Sequence, residues 1–176
     1  MRMFAAAVLS SALLSGMASA QEQFTRWVHP SGQLSFEHPA GWHVNEMRSQ
    51  TEGALRVMVG AADFECQIWR LPRAQTATLS ASEVRQRYSR ALAADKWTDL
   101  VAPLPEFRDA PTASDISVDT TATWPTQHAV VRSGAHEARA SIQGRPGFEL
   151  ISLCQSFDTQ DRSAVFDQIA RSVHAP

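Results

Sequence analysis

Short runs of β-prone residues alternate with turn signals along this chain, and the sharpest of those signals constrains the fold most. Gly144-Arg145-Pro146-Gly147 separates Ala138-Arg139-Ala140-Ser141-Ile142 from Phe148-Glu149-Leu150-Ile151-Ser152-Leu153. Glycine and proline packed between two such runs fold the chain back on itself, so the runs must pair antiparallel. The arrangement recurs. Phe24-Thr25-Arg26-Trp27-Val28 meets Leu34-Ser35-Phe36 across Pro30-Ser31-Gly32, and residues 55–61 meet residues 64–71 across Ala61-Ala62-Asp63. Residues 116–124 alternate in strand fashion until Pro125, and residues 128–132 form the expected hairpin partner.

Two stretches replace this period of two with a helical one. Ser80-Ala81-Ser82-Glu83 has the composition of a capping box, in which the serine hydroxyl accepts from a backbone N–H three residues on and the glutamate reaches back. Val84, Tyr88, Ala91 and Leu92 follow on one face, with Arg85, Gln86, Arg87 and Arg90 on the other. That spacing predicts an amphipathic helix of about four turns. Near the end, Asp158 or Thr159 is the expected cap of a helix over residues 161–173, whose Val165, Phe166, Ile169 and Val173 form one apolar stripe. Residues 103–114 hold three prolines and no period, and are expected to form a loop. Strands, helix, strands, helix, with hairpins between successive strands, predict an α+β class: a single antiparallel β-sheet with two main α-helices packed on it. No repeat or linker divides residues 21–176, which are expected to form one domain.

Residues 1–20 stand apart. Arg2 supplies a positive start, residues 3–14 are apolar, and Ala18-Ser19-Ala20 matches the small-x-small pattern that a signal peptidase cuts. Cleavage there starts the mature chain at Gln21. The apolar run is about a dozen residues, short of the roughly 20 that a membrane-spanning helix needs. The expected product is therefore periplasmic or secreted, with no transmembrane segment in the mature chain. In such an oxidising compartment the chain's two cysteines, Cys66 and Cys154, are expected to form a disulfide. Neither belongs to a Cys-x-x-Cys motif or begins a helix, the settings that make a thiol reactive. The chain carries 16 Lys+Arg against 18 Asp+Glu, and losing Arg2 with the leader moves the balance to about −3. The charges are interspersed, which argues against nucleic acid as a partner, since that requires a concentrated basic footprint.

The turn Phe36-Glu37-His38-Pro39-Ala40-Gly41-Trp42 resembles the early F-x-x-P-x-x-W element of the PsbP/Mog1-like superfamily and its bacterial DcrB-like relatives. The closing strand-then-helix run, residues 148–173, is similar to the end of those domains. The resemblance implies an antiparallel sheet sandwiched between helices (an α/β/α sandwich). It also implies a small binding or assembly factor with no common catalytic centre to carry over.

The residues themselves single out no enzyme. The six histidines include His38-x4-His43 across a turn and His136 beside Glu137, neither at tetrahedral metal-ligand spacing. No nucleophile elbow and no phosphate-binding glycine loop occurs. No cofactor is implied. Of the five tryptophans, Trp69 points away from the face shared by Phe64, Cys66 and Ile68, and Trp27, on the face of its strand opposite Arg26, is likewise expected to be partly exposed. Trp27 and Trp69 are the candidate binding surface, because exposed aromatic rings concentrate interface energy. The expected function is an exported, non-catalytic binding or assembly module whose partner is an envelope protein or small ligand. The alternatives are a small periplasmic hydrolase or metal enzyme, which requires converging histidines and a carboxylate, and a carrier of a small apolar ligand, which requires an enclosed pocket.

Overall fold

The computed structural model describes residues 23–176, so the predicted leader and its cleavage site lie outside the described residues. Strands β1 (Phe24–Val28) and β2 (Ser35–Pro39) form a two-stranded sheet. A second sheet holds β3 (His43–Met47), β4 (Leu55–Ala61), β5 (Phe64–Pro72), β6 (Thr112–Asp119), β7 (Thr126–Ser133), β8 (His136–Arg145) and β9 (Phe148–Ser156). Its seven strands run in the order β3-β4-β5-β9-β8-β7-β6, and every pairing is antiparallel. Four α-helices accompany them: α1 (Ala74–Ala77), α2 (Ala81–Tyr88), α3 (Ala94–Val101) and α4 (Ser163–Ser172). A 3-10 turn spans Pro105–Phe107.

The α+β class and the hairpins stand, but two expectations are corrected. There are two sheets, not one. Gly41, at φ 93°, swings the chain away after β2, so β3 pairs with β4 and the free edge of β2 takes the C-terminus instead. There Ser35 and His174 exchange backbone hydrogen bonds of 2.8 Å each. Nor are there two main helices. The expected four-turn helix stops at Tyr88 and a separate helix, α3, begins at Ala94. The cause is Gln127 on β7, which is fully buried. Its Nε2 donates to the carbonyls of Tyr88 (2.8 Å) and Arg90 (2.6 Å), and its Oε1 accepts from the Leu92 N–H (2.8 Å). One side chain thus satisfies backbone groups that a continuing helix would have paired internally.

Smaller boundaries also move. The capping box forms as expected, with the Ser80 hydroxyl and Glu83 satisfying each other's backbone N–H groups. At α4 neither Asp158 nor Thr159 caps; Asp161 accepts from the Ser163 N–H at 2.9 Å, while Asp158 pairs with Arg162. Residues 103–114 are not all loop, since they include the 3-10 turn and the start of β6.

Two apolar clusters lie on opposite faces of the large sheet. On one face Ala129, Val131, Ala138, Ala140, Ile151 and Leu153 pack against Val84 and Tyr88 of α2, Trp97 and Val101 of α3, and Phe107. On the other, Val57, Val59, Cys66, Ile68 and Leu150 pack against Leu34 and Phe36 of the small sheet and Phe166 and Ile169 of α4. Cys66 and Cys154 are directly opposed in the β5–β9 register and joined in a disulfide, Cα to Cα 4.0 Å, across 88 residues of sequence. Both are buried.

Candidate functional site

Neither layer spans the whole sheet. On the first face α1 packs on β9, α2 on β8, and α3 on β6 and β7, so the main helical packing falls on β6–β9 rather than on β3–β5. The register places side chains there in rows: Met47, Arg56 and Trp69 in one, Asn45, Met58 and Gln67 in the next. The Arg56 guanidinium lies 5.6 Å from the centre of the Trp69 ring and donates to Gln67 Oε1 at 2.7 Å. Gln67 and Gln155 in turn donate to Glu65 Oε1, at 2.8 and 3.1 Å. Trp69, Met58 and Met47 remain half-buried at this flat, hydrogen-bonded surface. It joins an aromatic ring, an arginine and adaptable methionines, side chains that dominate binding energetics.

Trp27 is elsewhere. It belongs to the small sheet, packs on Phe36 (centroids 5.1 Å apart) and His29 (5.9 Å), and borders the opposite cluster. The fold therefore does not bring Trp27 and Trp69 onto one surface.

The histidines do not converge either. His38 is buried against the Pro39 carbonyl at 2.9 Å, whereas His43 and His136 are exposed. His29 Nδ1 accepts from the Ser31 N–H at 3.1 Å and lies 2.7 Å from the Ser31 hydroxyl, while Nε2 faces Glu46 at 3.3 Å. The Ser31 contacts close the β1–β2 turn. Among the described residues no cluster of three or more His, Cys, Asp or Glu side chains can hold a metal ion.

A second open half lies on the opposite face, where α4 leaves β6 and β7 uncovered. Ser117, His128, Ser141 and Ser152 stand side by side across β6, β7, β8 and β9. Beside them α4 presents Asp167 and Arg171, and β6 presents Asp119. Together they line two adjoining cavities of about 280 and 320 Å³. Burial pushes the His128 imidazole below its ordinary value, opposed by the nearby Asp167 and Asp119 carboxylates. Asp119 is held low by hydrogen bonds from the Thr121 hydroxyl and N–H. This row is not adjacent in sequence and is assembled only by strand register. Its visible signal was a serine at a core position within each of two apolar strands, Ser141 and Ser152, for a buried hydroxyl needs a partner.

An antiparallel sheet with helices over half of one face, and a helix and hairpin over part of the other, is a layered α+β domain. More narrowly, the fold is PsbP-like. The solution structure of cyanobacterial PsbP (CyanoP) from Synechocystis sp. PCC 6803 matches with a TM-score of 0.53 at 18% identity, over 94% of this chain and 100% of that one. The Ran-binding protein Mog1p of Saccharomyces cerevisiae matches at 0.49 and 10% identity, covering 88% and 96% of the two chains. A crystal structure from Bacteroides thetaiotaomicron VPI-5482 matches at 0.47 and 11% identity, covering 86% of this chain and 48% of that one. The cyanobacterial likeness carries the fold assignment. No family model matches the chain, and no curated protein matches it.

Proposed function

We propose that this chain is an exported, non-catalytic binding or assembly module of the bacterial envelope, docking a protein partner through the open sheet surface around Trp69. The observation that carries this reading is the half-face itself. The main helical packing falls on β6–β9 rather than on β3–β5, yet Arg56, Gln67, Glu65 and Gln155 hold that surface in a fixed hydrogen-bonded frame around Trp69 and Met58. A rigid frame lowers the ordering cost of association. The buried Cys66–Cys154 bond and the leader-like residues 1–20 support export. No described helix is long and apolar enough to cross a membrane. The spread of the histidines gives the hydrolase and metal-enzyme alternative no centre. Between α2, α3 and the sheet the space is filled by Val84, Tyr88, Trp97, Val101 and the strand residues beneath them, which does not favour the apolar-carrier alternative there.

Fractionation of the native host with N-terminal sequencing tests export: protein starting at Gln21 in the periplasm or medium is expected, and intact protein held in the cytoplasm overturns it. Met58→Asp and Trp69→Ala are expected to abolish co-purification of a defined envelope partner, and Trp27→Ala to preserve it. A partner retained by all three variants overturns the docking surface.

A further inference from the structure

Hydrogen-bond donors without acceptors converge on the cavity beneath α4. Ser141 and Ser152 oppose each other in the β8–β9 register, both at least nine-tenths buried, and their hydroxyl oxygens are 2.6 Å apart. Two hydroxyls carry two protons, and the bond between them uses one. The other has no acceptor among the described residues, and both serines line the 280 Å³ cavity. A buried donor left without a partner is costly, so the position favours an acceptor from outside. The neighbouring His128 ring makes no hydrogen bond to a described residue, and a neutral imidazole keeps one N–H to donate. Arg171, at the end of α4, forms no ion pair among the described residues and reaches both cavities.

One oxygen of each nearby carboxylate is engaged. Asp119 Oδ1 accepts from the Thr121 N–H at 2.8 Å and from its hydroxyl at 2.7 Å, and Asp167 pairs with Arg139 at 3.6 Å. The remaining wall combines Leu150, Ala170 and Val173 with Thr121, Thr126 and Gln143, the last two bonded to each other at 2.9 Å. Hydroxyl, imidazole and guanidinium donors on one side and aliphatic carbon on the other select an acceptor-rich head on a short apolar body.

We propose that this cavity is a binding site for a small organic carboxylate. Its oxygens are held between Arg171 and the Ser141–Ser152 pair, and its hydrocarbon end lies against Leu150 and Val173. The site is on the face opposite Trp69 and is independent of the docking surface.

Titration of the mature protein with hexanoate, hexanamide and hexylammonium, followed by two-dimensional NMR, tests it. Hexanoate is expected to bind at least tenfold more tightly than either analogue, with shifts centred on His128, Ser141 and Ser152. Arg171→Gln is expected to weaken hexanoate at least fivefold and Ser152→Ala to weaken it measurably, whereas Met58→Asp leaves it unchanged. Should Ser152→Ala unfold the chain, Arg171→Gln at the exposed helix end still decides. Hexanoate binding no tighter than hexanamide, or undiminished in Arg171→Gln, overturns the proposal.

Discussion

A methyl group at position 144 would fall inside the Tyr88 ring, so Gly144 is what allows α2 to lie flat on β8. Tyr88 uses that proximity to donate from its hydroxyl to Glu149, which also receives Arg73 Nε. Burial, then this carboxylate, pushes the phenol well above its ordinary value, so it remains a donor. Gly144→Ala is expected to displace the ring and cost about 1–3 kcal/mol, the usual penalty of overpacking, read as a lower denaturation midpoint. His128 makes a prediction in pH. Its folded value lies below the ordinary 6.5, so as pH falls below that value the unfolded chain takes up a proton that the native chain resists. Stability contributed by the neutral ring is thus present above about 6.5 and is lost on acidification. Asp119, held low from 3.8, loses its contribution only at lower pH. Between pH 7.5 and 5.5 the wild type is expected to lose more stability than His128→Gln in urea melts; equal losses contradict this.

The boundary between α2 and α3 rests on Gln127. Replacing it with methionine keeps the volume but strands two carbonyls and an N–H, and is expected to cost at least about 2 kcal/mol in urea unfolding. The same residue shows what could be read in advance. The strands at 24–28 and 55–61 were legible to the residue, because alternation and turn chemistry act locally. The capping box was legible for the same reason. The helix break was not, since the side chain that ends α2 comes from a strand dozens of residues away. Continued helical spacing through Ala91 and Leu92 read as one helix, and α3, with no side-chain cap at Ala93, gave no start signal. Likewise the serines and His128 became a cavity only when register set four strands side by side, while Trp27 and Trp69 were separated by a second sheet that sequence did not announce.

At the scale of the molecule, each face of the large sheet is half covered, and the covered halves lie diagonally. The disulfide ties β5 to β9, between the strands that carry Trp69 and those that line the cavity. Closing a loop across 88 residues constrains the unfolded chain by about 4–5 kcal/mol in the chain-entropy model. Cys66→Ala with Cys154→Ala is expected to lose about 2–5 kcal/mol, and labelling of the unreduced, denatured wild type is expected to find no thiol. The diagonal arrangement leaves the Trp69 half-face as one open, half-buried part of the sheet. Site-specific photo-cross-linking in the living host tests its docking role most directly, with the reactive group at Met58 and, as a control, at Arg87 on the polar side of α2. A discrete adduct from Met58 and none from Arg87 is the expected result; no adduct from either position, or the same adduct from both, contradicts a docking role for this surface.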